Sequence, residues 1–169
     1  MNLEIGVAAQ EHFSGILCVE QTIERDYPAS RQTLMNRLNM FSDGFLIVKH
    51  THQLIGYIES CICFEQSFSR YRDICQFSDI HHPEGNILFV IFIGVDERFQ
   101  KMGVGSFLLS ALKSRIKNRY PHIQKIHLVS KEQYVNTFYR KNGFQKIKSL
   151  PDYMPEYSGF LMAYHFKQE

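Results

Sequence analysis

The stretch from Asn86 to Val95 constrains this chain more than any other. It reads Asn-Ile-Leu-Phe-Val-Ile-Phe-Ile-Gly-Val, with no ionisable side chain between Ile87 and Val95. Such a run is too apolar for the surface and too short to span a membrane, so it reads as a strand covered on both faces at the centre of a sheet.

The flanking elements supply the cover. Leu3 to Val7 is a short strand, and Phe13, Ile16, Leu17, Glu20 and Ile23 follow at helical spacing until Asp26-Tyr27-Pro28. Ser30 is an N-cap for a second helix carrying Leu34, Leu38 and Met35. Phe45 to His50 and Leu54 to Phe64 form a hairpin about Thr51-His52-Gln53, and Glu65 to Gly85 is a long connection. A helix from about Gly103 to Arg119 buries Phe107, Leu108, Ala111, Leu112 and Ile116. Then come a strand from Lys125 to Val129, a short helix from Val135 to Asn142 closed by Gly143, and strands Phe144 to Ile147 and Phe160 to His165. The order β-α-α-β-β-β-α-β-α-β-β predicts an α/β fold with a mixed central sheet and helices on both faces.

A chain of 169 residues is expected to be one domain, residues 1–169, with a real core. Its net charge of +2 is carried by scattered Lys and Arg, which gives nucleic acid no footprint. Of the four cysteines, none is in C-x-x-C spacing, so Cys18, Cys61, Cys63 and Cys75 read as buried thiols. His81-His82 has no second ligand pair, and no metal is expected. Without a leader-like N-terminus or a spanning segment, the expected setting is cytoplasmic, with no membrane partner.

The chemistry is expected where the central strand gives way to Gln100-Lys101-Met102-Gly103-Val104-Gly105-Ser106 and a helix. The first N–H groups of a helix lack intrahelical partners and its dipole favours negative charge there, so a strand, a glycine turn and a helix start make an anion site. Gly103 and Gly105 allow close approach to the backbone, and Gln100, Lys101 and Ser106 add donors at the rim. The third glycine of a dinucleotide loop and the Gly-Lys-Ser/Thr of a P-loop are both missing. The alternative is a glycine turn that merely starts a helix.

The run from Val95 to Leu109 resembles the acetyl-CoA-binding motif of the GNAT superfamily of N-acetyltransferases, Gln/Arg-x-x-Gly-x-Gly/Ala after a strand and opening a helix. Asn136-Thr137-Phe138-Tyr139-Arg140-Lys141-Asn142-Gly143-Phe144 is similar to a second element of that family, with its first spacing shortened. The resemblance implies a GNAT-type fold and acetyl-CoA as cosubstrate. It implies that the strand end Ile93-Gly94-Val95 splays and offers main-chain groups to the pantetheine arm, that Asn136 and Phe138 contact the cofactor, and that Tyr139 protonates the leaving thiolate. Tyr27-Pro28 and Pro83-Glu84-Gly85-Asn86-Ile87 resemble the arylalkylamine branch, whose animal members carry histidines on the central strand; Ile87 to Val95 carries none.

Direct attack by an amine needs a base, a polarised carbonyl and a proton for the thiolate. The backbone N–H near Val95 is expected to polarise the carbonyl. Glu59, on a face with Tyr57 and Cys61, is the expected base, with Glu84, His81 and His82 as alternatives. Tyr27, Phe68, Tyr71, Phe77, Tyr153 and Tyr157 suggest a small aromatic or apolar primary amine as acceptor, with Asp79, Asp152 and Glu156 as isolated carboxylates. A peptide N-terminus or lysine, or cofactor binding with little turnover, stand beside that reading. A homodimer is compatible with it.

Overall fold

The computed structural model describes residues 1–23, 28–65, 80–154 and 158–167. Strand β1 is Leu3–Val7, and helix α1, Phe13–Thr22, buries Phe13, Ile16, Val19 and Glu20. Helix α2, Arg31–Met40, starts where Ser30 accepts the Thr33 N–H at 3.1 Å, the expected cap. Strands β2, Phe45–His50, and β3, Gln53–Cys63, pair in antiparallel register with Ile47 opposite Tyr57 and Val48 opposite Gly56. Their two-residue turn needs left-handed backbone, which Thr51 (φ 48°) and His52 (φ 67°) adopt without glycine.

Period-two alternation then assigns the faces. Phe45, Ile47 and Tyr57 join Phe13, Ile16, Val19 and Leu34 of α1 and α2 in one core cluster. On the opposite face, Val48 and Leu108 lie where a side chain on Gly56 would project. Leu108 belongs to helix α3, Val104–Arg119, so helices cover this part of the sheet on both faces as expected.

The remaining elements are β4, Ile87–Val95; β5, Lys125–Ser130; a helical segment α4 over 132–142; β6, Gln145–Leu150; and β7, Gly159–His165. Hydrogen-bonded neighbours follow the order β1-β2-β3-β4-β5-β7-β6 in a seven-stranded sheet. It is mixed: β4 and β5 run parallel, and β7 is antiparallel to both β5 and β6. Two compact units divide the chain, Met1–Ser60 with Phe92–Asn118 and Cys61–Ile91 with Arg119–Glu169.

Four expectations need correction. The buried stripe of α3 is Val104, Leu108, Leu109, Leu112 and Ile116, with Phe107 and Ala111 on its shoulders, because Val104 in the first turn anchors the helix and rotates the stripe. Strand β4 is buried from Ile87 to Val90 but half-exposed at Ile91, Phe92 and Ile93. Cys18 is exposed on the outer side of α1, while Cys61 and Cys63 are buried and Cys75 lies outside the described residues. The short helix before Gly143 starts at Glu132, and its middle is a π turn, Val135–Tyr139.

Candidate active site

In the first unit the turn after β4 leads from the strand end into helix α3. Asp96 is buried and accepts the Arg98 backbone N–H and guanidinium, which holds its carboxyl below the usual range and fixes the short 3-10 turn Glu97–Phe99. Gln100 is not a free rim donor: its Nε2 donates to the Val95 carbonyl at 3.1 Å and braces the strand end. Lys101 (φ 61°) and Gly103 (φ 90°) both take left-handed backbone, and space beyond the Gly103 Cα is open to at least 4 Å. A ligand can therefore reach the main chain there. Gly103 O accepts the Phe107 N–H at 3.0 Å to open α3, and no acidic residue stands in the first turn of that helix to neutralise its dipole. Val104 is buried, Gly105 and Ser106 are half-buried, and Lys101 and Met102 are exposed.

The three residues ahead of the turn divide their work. Asp96 N–H donates to Ile55 O on β3 at 2.9 Å, and the Gly94 carbonyl lies against Gly56 of the same strand. Main-chain groups alternate sides along a strand, so Ile93 and Val95 turn theirs away from β3. Gly94 contributes by absence: a Cβ there would meet Phe92 and Tyr57 at 3.0 Å and Ile23 at 3.1 Å. Of the expected triplet, Ile93 and Val95 thus turn their main-chain groups away from β3, and Gly94 is a steric necessity.

Glu59, the expected base, lies in the core. It is 1% exposed and ion-paired with Arg37 of α2, itself buried. One turn of strand away, Tyr57 donates to Glu20 Oε1 at 2.5 Å while Glu20 Oε2 accepts the Ala29 N–H at 2.7 Å, which ties the connection after α1 to β3.

In the second unit the parallel ladder of β4 and β5 consists of Ile87 with Lys125, Leu88 with Ile126 and Phe89 with His127, and there it ends although both strands continue. His127 therefore stands at the fork. It is buried, and burial pushes its imidazole below the ordinary value, with Lys125 and His165 adding to the shift and Glu65 opposing it. Glu65 Oε1 lies 3.8 Å from His127 Nε2. Sequence reading missed His127; the available signal was an ionisable residue inside the apolar strand Lys125–Ser130.

On α4 the π turn carries Asn136, exposed, Phe138, half-buried, and Tyr139, buried. Such turns re-aim side chains and concentrate at functional sites. Tyr139 packs edge-on against Phe138 and Phe144, and burial raises its phenol well above the ordinary value, so the hydroxyl keeps its proton at neutral pH. His82 Nδ1 accepts the Glu84 N–H in a local turn, His81 is half-buried and shifted down by burial, and Glu84 is exposed. Of the acceptor-pocket residues, Tyr153 is buried and Asp152 exposed; Tyr27, Phe68, Tyr71, Phe77, Tyr157, Asp79 and Glu156 lie outside the described residues. Among the described residues no cluster of three metal-ligating side chains is present, and no helix is long and apolar enough to cross a membrane.

This combination of mixed sheet, forked parallel strands and glycine turn before a helix defines a CoA-dependent acyltransferase architecture. The model of the acetyltransferase (GNAT) family matches residues 16–144, and the chain belongs to that family. Acetyl-CoA is accordingly its cosubstrate. A search of curated proteins finds no match. Similar solved structures include the GphF GNAT-like decarboxylase in complex with isobutyryl-CoA (18% identity, TM-score 0.83, covering 96% of this chain and 98% of that one). The loading GNATL domain of CurA from Lyngbya majuscula follows at 15% identity, TM-score 0.84 and 98% of both chains. The ribosomal-protein-S18-alanine N-acetyltransferase from Escherichia coli is 13% identical, with TM-score 0.71 over 99% of this chain and 96% of that one. At these identities the likeness is one of fold.

Proposed function

We propose that the chain is an N-acetyltransferase that moves the acetyl group of acetyl-CoA to a primary amine by direct attack, with a small aromatic or apolar amine as acceptor. The observation that carries this reading is the buried His127 at the point where the β4–β5 ladder ends. As the new N–C bond forms and the C–S bond breaks, His127 takes the surplus proton of the amine and Tyr139 gives its hydroxyl proton to the thiolate. The α3 N-terminus and the open backbone at Gly103 hold the pyrophosphate, the Val95 N–H polarises the carbonyl, and Asn136 and Phe138 border the cofactor arm.

His127 takes the base role in preference to Glu59. Glu59 is already committed to a buried ion pair with Arg37, whereas the buried His127 imidazole, held below its ordinary value, is neutral and ready to accept a proton at neutral pH. The apolar side chains of Ile87–Val95 favour a second reading, acyl-CoA binding with little amine transfer. Acetyl-CoA-dependent thiol release against a panel of amines and peptides separates the two. Release stimulated by small amines supports the proposal; tight binding with release at background for every acceptor supports the second reading.

A further inference from the structure

The environment of His127 is more organised than a buried base requires. Glu65, just beyond β3, is fixed from two directions: its N–H donates to Asn86 Oδ1 at 3.0 Å, and both carboxylate oxygens accept from Lys125 Nζ, at 3.1 and 2.9 Å. Lys125 and His127 are two apart on β5 and so share a face of the sheet. The result is a carboxylate aimed at the imidazole but committed to an ammonium. Its 3.8 Å separation from His127 Nε2 lies beyond direct hydrogen-bond reach and within ion-pair range. Among the described residues, the charged and titratable groups acting on His127 are Glu65 after β3, Lys125 on β5 and His165 on β7; β4 contributes none.

We propose that Glu65 and Lys125 are a positioning pair for His127, with Glu65 standing at ion-pair distance to stabilise the imidazolium, and Lys125 keeping that carboxylate from charging the ring before the amine arrives. With Nε2–H turned to Glu65, Nδ1 takes the amine proton and the resulting cation faces a carboxylate. The opposing partners need each other. Glu65 alone would favour a protonated, useless base, and Lys125 alone would oppose the proton's arrival. This inference rests on the reading of His127 as base.

The test measures the His127 titration by NMR in the free protein, beside pH profiles of kcat/KM, for wild type, Glu65→Gln, Lys125→Met, Lys125→Arg and His127→Gln. Glu65→Gln should move the His127 titration to lower pH and lower kcat about tenfold with an unchanged KM for acetyl-CoA, the scale of other outer-shell partners. Lys125→Met should move the titration to higher pH, and the acidic limb of the profile with it; Lys125→Arg should restore both. If Glu65→Gln and Lys125→Met fold and leave the His127 titration in place, the positioning pair is wrong. If His127→Gln keeps the wild-type profile, the base assignment fails instead, and the NMR shifts still report on the pair.

Discussion

The glycine turn after β4 and the end of the β4–β5 ladder, each in its own unit, are proposed to serve the reaction by different means. The turn works through main chain: its donors are backbone N–H groups, its space comes from missing β-carbons, and its parts are contiguous from Gln100 to Ser106. The proposed proton-transfer groups are instead side chains from separate segments, His127 on β5 with Glu65 after β3, and Tyr139 on the π turn of α4. Main-chain sites leave compact sequence signatures, because few residues tolerate the required backbone. Side-chain sites assembled by topology leave single residues whose meaning depends on strand pairing.

The sharpest blow to the turn is Gly103→Asp, which places a carboxylate at φ 90° in the open space proposed to take the phosphate. Its expected effect is a loss of CoA affinity of about a hundredfold or more, while Gly103→Ala, sharing the backbone strain without the charge, should lose far less. Calorimetry on the two folded variants checks this, and equal affinities for Asp and wild type would remove the turn from the site. On α4, Tyr139→Phe should keep CoA affinity and slow turnover by about 10²–10⁴-fold. A near-wild-type rate would reduce Tyr139 to a packing residue.

Glu59→Gln sharpens the contrast between structural and catalytic charge. Removing one partner of the buried pair with Arg37 should cost about 3 kcal/mol of stability in a denaturant titration. The pH profile of the surviving folded enzyme should keep its acidic limb; disappearance of that limb would return the base role to Glu59.

Protonation gives a smaller, global effect. His127 and His81 both have folded values pushed below the ordinary imidazole value by burial, so each favours the neutral form and binds protons more readily when unfolded. Their contribution is present above about pH 6.5 and is lost as pH falls through the folded values. Thermal midpoints should therefore decline below that pH in wild type and less steeply in His127→Gln; identical slopes would place the decline elsewhere. The smallest effect expected is at the acceptor, where Tyr153→Ala should lower kcat/KM for aromatic amines more than for aliphatic ones.

Much of the fold was legible because local rules and tertiary structure agree. The polar turn Thr51-His52-Gln53 located the hairpin of Phe45–His50, Ser30 capped α2, and the apolar run fell on β4. The misses have physical causes. Val104 rotated the α3 stripe because anchoring the first turn to the core outweighs the average helical pattern. Glu59 was expected as a base, but its placement across from the buried Arg37 of α2, a fact of tertiary packing, commits it to an ion pair. His127 was passed over because its importance comes from where the ladder with β4 stops, a fact of pairing that no spacing within Lys125–Ser130 encodes.

The central claim is acetyl transfer to nitrogen, and mass spectrometry of reactions with isotopically labelled acetyl-CoA and a panel of primary amines tests it most directly. The account predicts labelled acetyl on the amine nitrogen, in step with free thiol, for wild type and at a strongly reduced rate for Tyr139→Phe. Saturable CoA binding with no labelled amine or peptide, and no thiol release above background, would contradict it.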